Sequence, residues 1–300
     1  MQQSGSPAAP RQGRYAFAAL ILGNLVLALG PWMVRLADVG PVASAFWRLG
    51  LAIPFLAVFA LAALRQQPER AAPSSGLVAM IALGGLFLAA DLAAWHVGIG
   101  MTKLANASLF GNASSFLLVL YGFIILRRLP RRVQVAALLL AAAGAALLMG
   151  SSYELSPENF TGDLFTLAGG LLYTGYLIAV DRARRTMAPM PVLAIATAAG
   201  APPLLLFALA LGQPVMPQDW TPLIILSFGS QIVGQGLLVY AVGHLSPVVV
   251  GLGLLAQPAA GAVIGWLAYG ERFSLADAVG AVLIAAALVL IRLPERPNPA

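Results

Sequence analysis

The chain of 300 residues contains no cysteine and few charged residues. Without cysteine it cannot form disulfides, bind zinc or an iron–sulfur cluster through thiolates, or use a thiol nucleophile. Only 9% of the residues are charged, whereas a soluble domain carries about 25%. So few charges cannot cover a water-facing surface, and the composition therefore excludes an ordinary soluble protein.

The sequence also lacks the motifs of common catalysts. It contains no Walker loop, no HExxH pair and no Gly-x-Ser-x-Gly elbow, and these patterns carry nucleotide, zinc and acyl-transfer chemistry. We therefore expect no enzyme activity, no cofactor and no metal. ATP-driven transport would require a partner subunit.

Apolar residues are abundant and make up 60% of the chain, with a mean hydropathy of +0.88. A helix needs about 20 of them to cross a bilayer. Charges, prolines and glycines separate ten such segments, which we call spans 1 to 10: 15–34, 41–64, 76–98, 104–126, 133–150, 161–180, 190–211, 221–242, 247–269 and 275–291. The pattern predicts an all-α integral membrane protein that is a monomer, since ten spans can enclose a cavity in one chain.

The basic residues predict the orientation. With a cytoplasmic N-terminus, 13 of the 17 Lys and Arg residues fall in cytoplasmic segments and 3 in external loops. Cytoplasmic loops carry such an excess, so we expect a multi-pass protein of the plasma membrane, of the bacterial inner-membrane type, with both termini in the cytoplasm. This explains the net charge of +6 without nucleic acid. A cleaved signal peptide is the disfavoured alternative, because cleavage would discard span 1.

The ten spans divide into two halves of five. We expect a first repeat at 15–150 and a second at 161–291, an external linker at 151–160, and cytoplasmic tails at 1–14 and 292–300. Because five is odd, the second repeat is inverted. The turn at 127–132 is rich in arginine, whereas its counterpart at 270–273 is not. Inverted repeats are typical of secondary transporters, which bind substrate between the repeats near the middle of the membrane.

Several stretches resemble one transporter family. They are Pro41 with Phe46-Trp47-Arg48, Asp91-Leu92-Ala93-Ala94-Trp95-His96, Leu104-Ala105-Asn106-Ala107-Ser108-Leu109, Gly162-Asp163-Leu164 followed by Tyr173 and Tyr176, and Gln257-Pro258 followed by Gly265-Trp266 and Gly270-Glu271. In order and spacing they are similar to the EamA family of the drug/metabolite transporter superfamily, which includes YddG-type amino-acid exporters. The resemblance covers nearly all of residues 15–291. It implies ten helices, an exported small molecule and a cavity to which Trp47 contributes.

Two charged residues, Arg48 and Asp91, lie deepest in the predicted spans. Burying either charge alone costs at least about 2.5–3.5 kcal/mol, so each needs a partner or water. Each lies seven residues from the external end of its span, which is about 10 Å at the rise of a helix. We hypothesise an Arg48–Asp91 ion pair that lines or locks the external side of the cavity. A purely structural pair is the alternative.

Trp95 and His96 follow Asp91 on span 3. Trp95 lies one turn from Asp91 on the same helical face, and it is either a cavity aromatic or a residue of the interfacial aromatic belt. His96 does not share that face, but it too is a candidate for the cavity. It either carries protons, since the ordinary pKa of histidine is near neutral, or packs against a neighbouring helix.

Four further polar side chains are candidates for the cavity. Asn112 and Gln257 lie on spans 4 and 9, which are equivalent in the two repeats, so we place both in the cavity. Tyr173 and Tyr176 share one face of span 6, where they contact either an apolar or aromatic substrate or the neighbouring helices.

Glycine and proline mark candidate hinges or gates. Gly30-Pro31 near the outer end of span 1 and Pro258 within span 9 would break or kink their helices, because proline lacks the N–H that a continuous helix needs.

These features favour a secondary transporter that exports amino acids or similar small organic metabolites by alternating access, either by proton antiport or by facilitation. A lipid-carrier flippase, or another amphiphile or drug efflux transporter, is the alternative. An intramembrane enzyme is disfavoured because Asp91 and His96, its one nearby catalytic pair, point about 140° apart around the helix.

Overall fold

The computed structural model describes residues 9–66, 72–102, 110–127, 130–150, 157–269 and 274–291. All regular secondary structure in these ranges is helical. Seven helices there are long and apolar enough to cross a membrane, and three shorter apolar helices occupy the remaining predicted spans. The predicted all-α membrane fold is therefore confirmed.

The helices follow the predicted spans. Their bounds are Ala9–Leu27 and Gly30–Leu36 in span 1, Pro41–Gly50 and Ile53–Arg65 in span 2, Ser75–Ile99 in span 3, Ala113–Leu126 in span 4, Arg132–Gly150 in span 5, Pro157–Arg184 in span 6, Pro189–Ala210 in span 7, Thr221–Val242 in span 8, Pro247–Leu254 and Ala256–Tyr269 in span 9, and Leu275–Leu290 in span 10. Span 6 is longer than predicted at both ends. Its polar first and last turns remain helical although they extend beyond the apolar run that defined the span.

Three spans are broken next to a proline. Pro31, Pro54 and Pro258 each lie in the first turn of the second helical segment of spans 1, 2 and 9. A proline fits there because the first turn of a helix leaves its N–H groups unpaired in any case. Pro202 and Pro203 do not interrupt span 7, which is one helix.

Span 8 changes its helical geometry in the middle. Between α-helical turns at Thr221–Leu226 and Gln235–Val242, residues Ser227–Gly234 form a π-helix. The apolar periodicity of the sequence did not predict this segment. Such wide turns are rare and occur often at functional sites.

The packing relates the two repeats as inverted copies. Span 1 packs against span 8, and their equivalents, spans 6 and 3, pack against each other in the same way. Spans 4 and 9, and spans 5 and 10, pack as equivalent partners. Gly144 of span 5 and Gly280 of span 10 make reciprocal contacts: a Cβ on either would lie 2.6 or 2.7 Å from the carbonyl oxygen of the other. This reciprocity is expected of repeats related by a pseudo-two-fold axis in the membrane plane.

Large apolar side chains cover the outside of the bundle. Val58, Leu120, Leu206 and Leu267 are examples with most of their surface exposed. In a bilayer, these side chains face lipid rather than water.

The two ends of the bundle differ in charge. We call the end at which the described chain begins and ends the basic face, and the other end the opposite face. Because the spans alternate in direction, the basic face carries most of the described arginines: Arg14, Arg65, Arg127, Arg131, Arg132, Arg182, Arg184 and Arg185.

Hydrogen bonds join two connections at the opposite face. The Asp38 carboxylate accepts a hydrogen bond from the N–H of Gln218 at 2.7 Å. The Gln213 side-chain oxygen accepts one from the N–H of Val42 at 2.9 Å, at the start of span 2. These bonds tie the connection between spans 1 and 2 to the connection between spans 7 and 8.

Some predicted features lie wholly or partly outside the described residues. They are most of the N-terminal tail, the start of span 4 with residues 104–109, residues 128–129 of the arginine-rich turn, linker residues 151–156, the turn at 270–273 and the tail at 292–300.

Candidate functional site

A cavity of about 200 Å³ lies inside the bundle between the two repeats. Spans 1, 2, 3 and 4 of the first repeat and spans 6, 8 and 9 of the second contribute its walls. Arg48 lies seven residues from the start of span 2 and His96 lies three from the end of span 3. The cavity therefore extends from the middle of the bundle towards the opposite face.

Ten of the twelve candidate residues line this cavity. They are Gly30, Pro31, Arg48, Asp91, Trp95, His96, Asn112, Tyr173, Gln257 and Pro258. The two predicted hinges thus border the same space as the two intramembrane charges.

Trp47 and Tyr176 lie elsewhere. The Trp47 indole N–H donates to the carbonyl of Val215 at 2.6 Å, and its ring packs edge-on against Trp220 at 4.8 Å. Trp47 therefore belongs to the contacts that join the two connections at the opposite face. Tyr176 is fully buried below the cavity and packs against Tyr173 with ring centroids 5.7 Å apart.

Arg48 and Asp91 both line the cavity, but they do not form the hypothesised ion pair in the part of the chain that the structure describes. Arg48 Nε instead donates to Gln231 Oε1 at 3.2 Å. The other end of the Gln231 amide donates to Thr197 Oγ1 at 2.9 Å. Gln231 and Thr197 are fully buried, so spans 7 and 8 hold the guanidinium in place.

Asp91, Trp95 and His96 lie on one stripe of span 3. The stripe also contains Leu88 and Leu92, and all five line the cavity. Asp91 and His96 point about 140° apart around the helix and lie at the two edges of this stripe. Both can line the cavity because the cavity surrounds this side of the helix. His96, a predicted cavity residue, therefore lines the cavity although it lies on a different face of the helix from Asp91. The Trp95 and His96 rings lie 5.3 Å apart.

A small hydrogen-bond network forms the floor of the cavity. Gln235 Nε2 donates to the Tyr173 hydroxyl at 3.3 Å, and the Tyr176 hydroxyl donates to Gln235 Oε1 at 3.4 Å. One glutamine of span 8 thereby bridges both tyrosines of span 6, of which only Tyr173 lines the cavity.

A pair of amide side chains, Gln257 and Asn24, joins the two repeats. Gln257 Nε2 donates to Asn24 Oδ1 at 2.6 Å, and Asn24 Nδ2 donates to the Leu20 carbonyl at 2.7 Å. Asn24 is fully buried. These bonds fix span 9 against span 1 beside the break at Pro258.

Glycines bring spans 3, 4 and 6 together behind the cavity. A Cβ on Gly169 would lie 3.1 Å from an Asp91 carboxylate oxygen, and one on Gly170 would lie 2.8 Å from the Gly111 carbonyl oxygen. Larger residues at these positions would push the carboxylate or the backbone of span 4 into the cavity.

The comparisons with known proteins agree with this architecture. The model of the EamA-like transporter family matches residues 14–150 and again residues 160–293. The chain belongs to this family. It is therefore a membrane transporter for a small molecule rather than an enzyme.

Solved structures show the same fold. Matches comprise 29 chains, and one of them, titled "Crystal structure of protein", has a TM-score of 0.73 and 20% sequence identity. The match covers 94% of this chain and 96% of that one. No curated protein matches the chain.

In this EamA-like transporter, polar contacts tie the span ends together at the basic face. Asp181 of span 6 accepts a hydrogen bond from the Tyr121 hydroxyl of span 4 at 3.4 Å and pairs with Arg185 at 3.0 Å. Arg184 Nε donates to the Val239 carbonyl of span 8 at 3.0 Å. These contacts connect the ends of spans 4, 6 and 8 beyond the cavity floor.

The sequence did not single out several lining residues. Apolar side chains such as Leu27, Leu88 and Leu254 line the cavity, and nothing in their type separates them from residues that face lipid. Gln235 also lines the cavity, and it could have been found from the sequence, because an amide side chain within an apolar span is unusual.

Proposed function

We propose that this EamA-like transporter is a secondary transporter that exports amino acids or similar small organic metabolites by alternating access. The observation that carries the proposal is the cavity itself. It lies between inverted repeats and is lined by both, with a cation from span 2 and an anion from span 3 on its walls. Secondary transporters bind substrate at such an interface and move one repeat against the other.

The closed half of the bundle supports alternating access. Below the cavity, Gly253 of span 9 packs directly on Leu20 of span 1, and a Cβ on Gly23 would lie 2.9 Å from the Gly234 carbonyl oxygen of span 8. This packing and the Asp181 contacts separate the cavity from the basic face. Transport requires that these contacts open while the opposite face closes.

The helix breaks supply positions about which the spans can bend. Gly30, Pro31 and Pro258 border the cavity and lie at interruptions of spans 1 and 9. Interrupted spans at a binding site are common in secondary transporters. In the proposal, these residues are the hinges of the opposite face.

We further propose that the basic face is cytoplasmic, in a bacterial-type inner membrane, with both termini on that side. The excess of arginine at that face supports this orientation. The cavity then lies nearer the outside, as expected for an exporter in its releasing state. One chain supplies the whole cavity, so the proposed working unit is a monomer.

The test is solute counterflow into proteoliposomes containing the purified full-length protein. The vesicles are loaded with one unlabelled solute at a time from a panel of amino acids, organic acids, amines and neutral metabolites, and uptake of the labelled solute is measured. We expect uptake of at least one solute above that of protein-free vesicles. If none of the panel moves, the proposed function fails.

A proton gradient distinguishes the two coupling modes. Asp91 and His96 are protonatable and border the cavity, so proton antiport requires that an imposed pH gradient drives net flux. If the flux of the transported solute is indifferent to the gradient, the transporter works by facilitation.

A further inference from the structure

The cavity contains two opposite charges that the protein leaves largely unsatisfied. Arg48 uses Nε for its bond to Gln231, and its two terminal nitrogens have no hydrogen-bond or ion-pair partner among the described residues. The Asp91 carboxylate likewise accepts no hydrogen bond from any described residue. Both side chains line the cavity, so both charges are available to a ligand.

His96 also lines the cavity, next to Trp95. Its Nδ1 atom is buried without a hydrogen-bond partner and is not accessible from the cavity. Among the described lining residues, the two charges are therefore the groups on which a ligand site rests.

The separation of the two charges is built into the fold. The amide of Gln231, itself held by Thr197, keeps Arg48 on the side of spans 2, 7 and 8. Asp91 lies on span 3 against Gly169 of span 6. Isolated charges in an apolar interior are costly, and a direct ion pair between them would reduce that cost. The pair is not formed in this structure, which leaves both charges to counter-charges that come from outside.

We propose that the cavity binds a zwitterion in one orientation, with its carboxylate on the Arg48 guanidinium and its ammonium group on the Asp91 carboxylate. This inference rests on the proposed function and specifies its substrate. The guanidinium offers two parallel N–H donors, the geometry that carboxylates prefer.

Apolar side chains line the rest of the cavity. The walls formed by Leu88, Leu92 and Leu254 would contact the side chain of the bound amino acid.

The test compares each zwitterion with its two single-charge analogues. Binding of the twenty L-amino acids to the full-length protein in nanodiscs is measured by calorimetry. For the tightest binder, the amine without the carboxylate and the acid without the ammonium group are then measured; for alanine these are ethylamine and propanoate. We expect the amino acid to bind at least about tenfold more tightly than either analogue.

Two substitutions should each abolish the preference for the amino acid over a different one of the two analogues. Arg48→Gln removes the carboxylate site, so the amino acid should lose its advantage over the amine while the affinity for the amine is unchanged. Asp91→Asn removes the ammonium site, so the amino acid should lose its advantage over the acid while the affinity for the acid is unchanged. A folding defect would instead lower the fraction of protein that binds, which calorimetry reports as the stoichiometry and separates from a change in affinity.

Asp163→Asn is the matched control. Asp163 is buried and accepts a hydrogen bond from Thr102 at 2.6 Å, but it does not line the cavity, so the preference should persist in this variant. The inference is overturned if either analogue binds wild-type protein as well as the amino acid, if Arg48→Gln and Asp91→Asn weaken all ligands equally, or if no amino acid binds. In the last case, counterflow of another solute would leave the proposed function intact.

Discussion

Gln231 should control the affinity of the cavity although it does not line it. Its side-chain oxygen accepts the hydrogen bond of Arg48 Nε, so Gln231→Leu removes the partner that holds the guanidinium away from Asp91. We expect Arg48 to turn towards Asp91 and form the ion pair that the wild-type structure lacks. A ligand that uses either charge must then break this pair before it binds.

The magnitude follows from the lost bond. A hydrogen bond to a charged group is worth about 1.5–3 kcal/mol, and its length of 3.2 Å is at the long end of the usual range. Taking the lower value of about 1.5 kcal/mol, Gln231→Leu should weaken binding about tenfold. The assay is calorimetry in nanodiscs with the tightest ligand from the solute panel.

Thr197→Val provides the matched control. It removes the second partner of the Gln231 amide but leaves the bond to Arg48. Interhelical hydrogen bonds in membranes are worth about 0.6 kcal/mol on average, so this variant should weaken binding by about threefold at most. The reasoning is refuted if Gln231→Leu binds like wild type, or if Thr197→Val has the larger effect.

Three further predictions address packing, orientation and closure. Gly280→Val should lower the thermal stability in detergent by about 1–3 kcal/mol through overpacking, because its Cβ would meet the facing backbone at 2.7 Å; Gly76→Ala, where a methyl group meets nothing within 4 Å, should leave the stability unchanged. Since the chain has no cysteine, single cysteines at Arg65 and Asp219 can report orientation: an impermeant maleimide added outside cells should label only the Asp219→Cys variant, and the reverse result would invert the proposed topology. Asp181→Ala should speed the labelling of a cavity cysteine from the basic face about two- to threefold, because it removes the hydrogen bond from Tyr121 that joins spans 4 and 6, and such interhelical bonds are worth about 0.6 kcal/mol on average; unchanged labelling would show that this contact does not contribute to closure.

The sequence predicted the spans and the approximate depth of the charges because both depend on distance along a helix. Arg48 and Asp91 lie seven residues from the predicted span ends, and both reach the same cavity. Their direct pairing was predicted wrongly, because depth contains no information on lateral separation. The residue that separates them, Gln231, comes from a π-helical segment of the other repeat.

The placements of Trp47 and Tyr176 have a simple geometric reason. One residue along a helix turns the side chain by about 100°, so Trp47 points away from the wall that Arg48 forms. Three residues lower the side chain by about 4.5 Å, so Tyr176 lies below Tyr173 and under the cavity floor. Sharing a motif or a helical face with a lining residue is therefore insufficient to predict that a residue lines the cavity.

The polar contacts that close the basic face are weak compared with the glycine contacts within the bundle. The bond from Tyr121 to Asp181 between spans 4 and 6 is long at 3.4 Å, and the Asp181–Arg185 pair lies within span 6. Spans 5 and 10, in contrast, meet through backbone at Gly144 and Gly280, where no side chain can move aside. A ligand shifts a conformational equilibrium only by its difference in affinity for the two states. Weak polar contacts keep the required difference small, whereas the glycine contacts of span 1 with spans 8 and 9 must part as well. Movement between states should therefore occur at the ends of spans 1, 4, 6, 8 and 9 that lie at the basic face and leave the contact of spans 5 and 10 unchanged.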